Sequence, residues 1–159
     1  MSLQKAKEHL SKYGLADQIL EFEVSSATVE LAAQALGCEP KQIAKTLSFE
    51  MGEGCILIVM AGDAKIDNPK YKAEFGCKAK MLAPADAEQL IGHAVGGVCP
   101  FGIHEGVEVY LDESLRRVET VFPACGSSNS AIELSIPMLE ECSQAKKWVD
   151  VGKGWREEA

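Results

Sequence analysis

The chain has 159 residues, 47% apolar and 25% charged, with a formal net charge of −8. That is the balance of an ordinary globular protein, long enough for one domain with a sizeable core, and the acidic excess argues against DNA or other non-specific nucleic-acid binding, which rests on phosphate neutralisation. The longest apolar run, Cys55–Ala61, is far too short to span a bilayer, and the first residues lack the apolar stretch of an export signal, so a cytoplasmic, membrane-free protein is expected.

In chain order, Leu3, Ala6, Leu10 and Tyr13 recur at helical spacing and Gly14 follows as a stop, predicting a helix over 3–13. Ile19–Val24 reads as a short strand. Thr28 is placed to cap a second helix with Val29, Ala32, Ala33 and Leu36 on its inner face, ended by Gly37. Pro40 opens a short helical turn to Ile43. Thr46–Met51 alternates apolar and polar residues, Gly52-Glu53-Gly54 turns, and Cys55–Ala61 is apolar throughout, so the two form a hairpin whose second strand is buried on both faces.

Asn68 at the N-cap and Pro69 at N1 open a third helix that stops before Gly76. Cys77, Ala79 and Met81 alternate with Lys78 and Lys80, the pattern of an edge strand guarded by lysines. Pro84–Ile91 is a helix closed by Gly92. Val107–Leu111 and Val118–Phe122 read as strands joined through Asp112–Arg117. Ser130–Ile136 reads as another, Pro137 starts a helix to about Lys146, and Trp148–Val151 adds a short strand. The expected fold is α+β: a single domain over 1–151 with a mixed, strongly curved sheet and surrounding short helices, followed by a loose polar tail at 152–159.

Three stretches have functional character. Lys45 stands between a helical turn and a strand, where a surface lysine is the ordinary occupant. Gly92–Gly102 holds four glycines and Pro100 within eleven residues, either a surface turn or a loop that aims several N–H groups at one place. Gly126-Ser127-Ser128-Asn129 sits between two strands, where a polar turn is common. The six cysteines show no C-x-x-C pair and no ligand spacing with His9, His93 or His104, so reduced thiols and no metal or cofactor are expected. No catalytic triad, Walker A loop or dinucleotide fingerprint is present. Cys99 could be a nucleophile, but neither His93 nor His104 is fixed by spacing as its partner.

Taken together, Ile43-Ala44-Lys45-Thr46-Leu47, Gly96-Gly97-Val98-Cys99-Pro100-Phe101-Gly102 and Gly126-Ser127-Ser128-Asn129-Ser130-Ala131-Ile132-Glu133-Leu134 resemble, in order and spacing, the YbaK/prolyl-tRNA synthetase-associated editing-domain family of aminoacyl-tRNA deacylases. The resemblance runs from about Leu3 to Leu134. It implies a half-barrel-like sheet around the pocket and hydrolysis of the ester joining a wrong amino acid, small or polar, to the terminal ribose of tRNA. It matches Lys45 to a lysine that contacts the terminal phosphate or ester region. Gly96, Gly97, Val98, Cys99 and Pro100 match a loop whose N–H groups hold the carbonyl. Thr46, Phe101, Gly102, Gly126, Ser127, Ser128 and Asn129 become substrate-binding candidates, and Val24–Thr28 part of the selectivity wall.

The implied partners are charged tRNA and an aminoacyl-tRNA synthetase. Lys65, Lys70, Lys72, Lys78 and Lys80, read on charge alone as a solvated face, become an acceptor-stem candidate. Three other readings stand: a non-catalytic tRNA- or synthetase-binding module of the same fold, a hydrolase dependent on Cys99, and deacylation of something other than tRNA.

Overall fold

The computed structural model describes residues 2–22, 28–93, 98–127 and 129–155. Helix α1 (Ser2–Ser11) is followed by strand β1 (Leu20–Glu21) and helix α2 (Val29–Leu36). Thr28 Oγ1 accepts the Leu31 N–H and Gly37 closes α2 at φ +68°, as the local residues dictate. A 3-10 turn at Pro40–Gln42 feeds the hairpin of β2 (Ile43–Met51) and β3 (Gly54–Ala61). Next come β4 (Lys65–Ile66), α3 (Asn68–Phe75) and α4 (Pro84–Ile91). The last third holds β5 (Glu108–Asp112), β6 (Thr120–Pro123), β7 (Ser130–Ala131), β8 (Leu134–Ser135), α5 (Ile136–Ser143), β9 (Lys147–Val149) and β10 (Gly152–Lys153).

The main sheet is six-stranded, curved and mixed, in the order β8-β6-β2-β3-β5-β9. Strand β3 lies between antiparallel β2 and parallel β5, which is why its residues from Cys55 to Ala61 are all buried. One face packs Leu57, Val59 and Leu111 against Leu10 of α1, Ile91 of α4 and Leu139 of α5. The other packs Phe49, Ile56, Ile58 and Met60 against α3 through Tyr71, whose ring lies 5.0 Å from Phe49 and 4.7 Å from Phe75. Each fully buried Leu or Ile contributes about 1.5–3 kcal/mol relative to exposure.

Four expectations need correction. Cys77–Met81 is not a strand: it touches the sheet through one bridge, Met81 to Phe49, flanked by bonds from Glu50 N to Lys80 O and Leu82 N to Ser48 O. Ser130–Ile136 splits, because β7 pairs with β1 whereas β8 pairs with β6. Asp67, not Asn68, caps α3, its carboxylate accepting the Lys70 N–H. The start of the tail is fixed rather than loose, since Gly152–Lys153 pairs with Lys65–Ile66. The strand expected at Ile19–Val24 is observed at Leu20–Glu21, and Val24 lies outside the described residues.

Candidate functional site

Strand β2 is covered unevenly. On the side away from β3, Ile43 and Ala44 pair with β6, and Ser48 and Glu50 bond the 80–82 segment. Between these two partners opens a cavity of about 540 Å³. Lys45, Thr46 and Leu47 form its floor, Phe122 and Ala124 one side, Met81 and Leu82 the other, with Val98, Ser130 and Ala131 also on the wall. Helix α2 leans over it, presenting Val29, Ala32 and Leu36 at helical spacing.

Lys45 is half-buried, and its ammonium donates to Gly62 O at 3.4 Å and to Ala64 O. Two of its three donors are therefore engaged by one short turn, which leaves the third for another partner. Burial lowers the Lys45 pKa, and the Asp63 carboxylate partly offsets this. Asp63 is gripped by Arg117, with Nη1 to Oδ2 at 2.9 Å and Nη2 to Oδ1 at 2.5 Å; that hydrogen bonding lowers the Asp63 pKa. Arg117 also donates to Ser114 O at 3.0 Å and Trp155 O at 3.1 Å, and its guanidinium lies 5.1 Å from the Trp155 ring centre. A Cβ on Gly62 would stand 2.4 Å from Pro40 O and 2.6 Å from Val29 Cγ1, so only glycine lets α2 and the 40–42 turn close on this corner.

The glycine loop divides. Gly96 and Gly97 lie outside the described residues, as does Ser128. Val98 reaches the cavity wall. Cys99 is fully buried, its Sγ 3.6 Å from His93 Nε2, which donates to Phe101 O at 2.6 Å. The structure thus supplies the histidine neighbour that spacing did not reveal. Burial, however, pushes the thiol up to about 12 and lowers the His93 pKa, so the pair is a neutral thiol beside a neutral imidazole.

The assignment of Phe101 and Gly102 to substrate binding is corrected. Phe101 is fully buried, its ring 5.8 Å from that of His9, and Gly102, at φ +68°, backs onto Lys5 O, which would lie 2.4 Å from a Cβ. Pro100 and Gly102 border a separate polar groove against α1. The direction of the chain after Pro100 carries these residues away from the cavity.

The second glycine loop meets the first at Cys99, whose sulfur receives a hydrogen bond from the Gly126 backbone. Ser127 Oγ donates to Asn129 Oδ1 at 2.9 Å and lies 2.6 Å from Ser130 Oγ, and Asn129 Nδ2 donates to Phe22 O at 3.0 Å. Ser127 and Asn129 thus brace Ser130, which lines the cavity. Of the lysine face, Lys70 pairs with Asp150 at 3.2 Å and Lys80 with Glu50 at 3.1 Å, while Lys65, Lys72 and Lys78 are exposed. Sequence reasoning missed Gly62, Asp63 and Arg117; the Gly-Asp turn after an apolar strand was the only local signal. Among the described residues no group of three His, Cys, Asp or Glu side chains could hold a metal ion.

Comparison with known proteins agrees with this geometry. The aminoacyl-tRNA editing domain family matches residues 23–142. The uncharacterized protein YwhH of Bacillus subtilis (strain 168) is 54% identical over 98% of this chain and 99% of its own length. A proline–tRNA ligase of Bacillus cytotoxicus is 30% identical over 78% of this chain, which spans only 20% of that longer protein. A crystal structure described as a candidate trans-editing enzyme for prolyl tRNA synthetase superposes with a TM-score of 0.86 at 28% identity, covering 96% of this chain and 98% of the other. The chain belongs to the aminoacyl-tRNA editing domain family.

Proposed function

We propose that this protein is a trans-editing aminoacyl-tRNA deacylase that removes a small or polar amino acid from mischarged tRNA in the cytoplasm. The single observation that carries the reading is the Lys45 ammonium, half-buried on the lining of the cavity with two of its three donors taken by carbonyls of the 62–64 turn, which leaves one donor for a ligand. The similarity to a whole-length candidate trans-editing enzyme supports action in trans.

Water attacks the ester carbonyl, the bond to the ribose oxygen breaks, the amino acid leaves as its carboxylate, and the terminal ribose hydroxyl is restored. An ester is already activated, so the protein must supply position and charge stabilisation. Lys45 acts as a point charge on the terminal phosphate or ester region. N–H groups of the Gly96–Pro100 loop meet the developing oxyanion, where one donor is worth about 3–4 kcal/mol. The ribose 2′-hydroxyl or the substrate side chain activates the water. Cys99 contributes its backbone, since its thiol is buried and neutral.

The test is deacylation of tRNAs charged with alanine, cysteine, serine, threonine and proline, with Lys45→Ala alongside. Rapid loss of one or two of these amino acids, slowed about 100-fold or more by Lys45→Ala, is expected. Uniformly slow loss, unchanged by the variant, would leave the non-catalytic binding module, or a deacylase for another substrate, as the better account. An assay with and without the cognate synthetase reads the partner.

A further inference from the structure

Register in the β2–β3 hairpin fixes where each β2 peptide group points. The two-residue turn makes Met51 and Gly54 a closing pair, so Lys45, Leu47 and Phe49 exchange their main-chain bonds with β3. The N–H and C=O of Ala44, Thr46, Ser48 and Glu50 then face the other way. Three of these four residues find backbone partners there: Ala44 is bridged to β6, Ser48 O accepts from Leu82 N, and Glu50 N donates to Lys80 O. Ala44, Thr46 and Ser48 all line the cavity, but of the four residues only Thr46 has neither its N–H nor its C=O bonded to a partner among the described residues. Its Oγ1 is also buried without a partner. A native fold rarely leaves so many polar atoms of one half-buried residue unmade.

The gap in the sheet is one residue wide, and that size identifies what fits. An aminoacyl ester in extended conformation presents an amino donor and a carbonyl acceptor at the spacing of a single strand residue. Such a residue can exchange two hydrogen bonds with the one opposite it, with Cα atoms about 5.5 Å apart. We propose that the main chain of Thr46 is the subsite for the substrate's α-amino group and ester carbonyl, the aminoacyl group completing a one-residue antiparallel bridge in the β2 edge.

Thr46 O accepts from the α-amino group and Thr46 N–H donates to the carbonyl oxygen, adding a donor from the floor to those of the glycine loop. Residues opposite one another in a strand pair direct their side chains to the same face, so the substrate side chain lies beside Thr46 Oγ1. The enzyme accordingly requires a free α-amino group. This inference rests on the deacylase reading of the same cavity.

The experiment uses two non-hydrolysable probes, 3′-deoxy-3′-(alanylamino)adenosine and its 3′-propionylamino counterpart, which lacks only the amino group. Amide hydrogen exchange is followed by NMR on the full chain. In the free protein the Thr46 amide should exchange fast while those of Lys45 and Leu47, bonded to β3, are protected. The alanylamino probe should slow Thr46 exchange at least about tenfold, and the propionylamino probe much less. In parallel, tRNA carrying N-acetylalanine should be deacylated at least about 100-fold more slowly than alanyl-tRNA.

A Thr46 amide already protected in the free protein overturns the proposal. So does a probe that shifts the Lys45 and Val98 signals but leaves Thr46 exchange unchanged, although the deacylase reading would then survive. A probe that perturbs no cavity residue overturns both.

Discussion

Gly62→Ala tests whether the corner that holds Lys45 is built as described. The new Cβ would stand 2.4 Å from Pro40 O and 2.6 Å from Val29 Cγ1, against 3.4 Å for ordinary contact. The valine side chain can rotate, but the Pro40 carbonyl moves only with the turn that carries α2. Overpacking of this kind costs about 1–3 kcal/mol. For a chain of this size that lowers Tm by roughly 2–12 °C. Gly62 O is also one of the two acceptors of the Lys45 ammonium, so a displaced turn misplaces the charge; a shift near an ångström at a catalytic group costs up to about 100-fold in rate. Gly54→Ala is the control, since nothing lies within 4 Å of its Cβ and its φ is not positive. It should be neutral or stabilise by up to about 1 kcal/mol. Thermal unfolding followed by circular dichroism, with deacylation measured on the same samples, reads both effects. A Gly62→Ala protein that melts and deacylates as wild type would refute the packing of α2 and the 40–42 turn on this corner.

Other expectations follow from single groups. Because burial lowers the Lys45 pKa below 10.5, the Lys45-dependent rate, with the Lys45→Ala background subtracted, should fall to half its plateau at a pH below 10.5. In the window between the folded pKa and 10.5 the unfolded chain binds more protons at this residue, so stability should rise with pH there; a rate flat up to 10.5 would contradict the burial. Cys99→Ala should keep most of the deacylase activity and cost about 1 kcal/mol of stability, since the thiol fills space beside His93; loss of activity in a folded variant would restore the cysteine-dependent reading. Asp112 is fully buried and accepts from Ser114 N at 3.0 Å and Val151 N at 2.9 Å. Asp112→Ala orphans both donors and should cost about 2–5 kcal/mol in urea unfolding, with Asp112→Asn milder; a change within 0.5 kcal/mol, by the same assay, would show the bonds are not made.

What was legible in the sequence was local. Thr28 and Gly37 bracket α2, Gly92 closes α4 at φ +103°, and the apolar run of β3 announced its central place, because each signal acts within a few residues. Lys45, expected between a helical turn and a strand, is instead the third residue of β2, and it lines the cavity. The errors fall where distant partners decide. Cys77–Met81 alternates like a strand, yet only Phe49 offers it a bridge. Gly152–Lys153 is polar, yet Ile66 and Lys65 pair with it. Asp63 and Arg117 lie 54 positions apart, a separation at which no spacing pattern operates. Phe101 and Gly102 share a motif with Val98, but the turn at Pro100 sends them to the core rather than to the cavity.

The family match covers residues 23–142, yet two of the contacts described above reach outside it. Lys5 of α1 backs the glycine loop at Gly102, and Trp155 receives the guanidinium that grips Asp63. A fragment trimmed to the family boundaries would retain every recognisable motif and lose both buttresses. Lys45 would keep its bonds to Gly62 O and Ala64 O, but Arg117 would lose its Trp155 partner. The contacts that hold this fold together therefore extend beyond the segment that the family model matches.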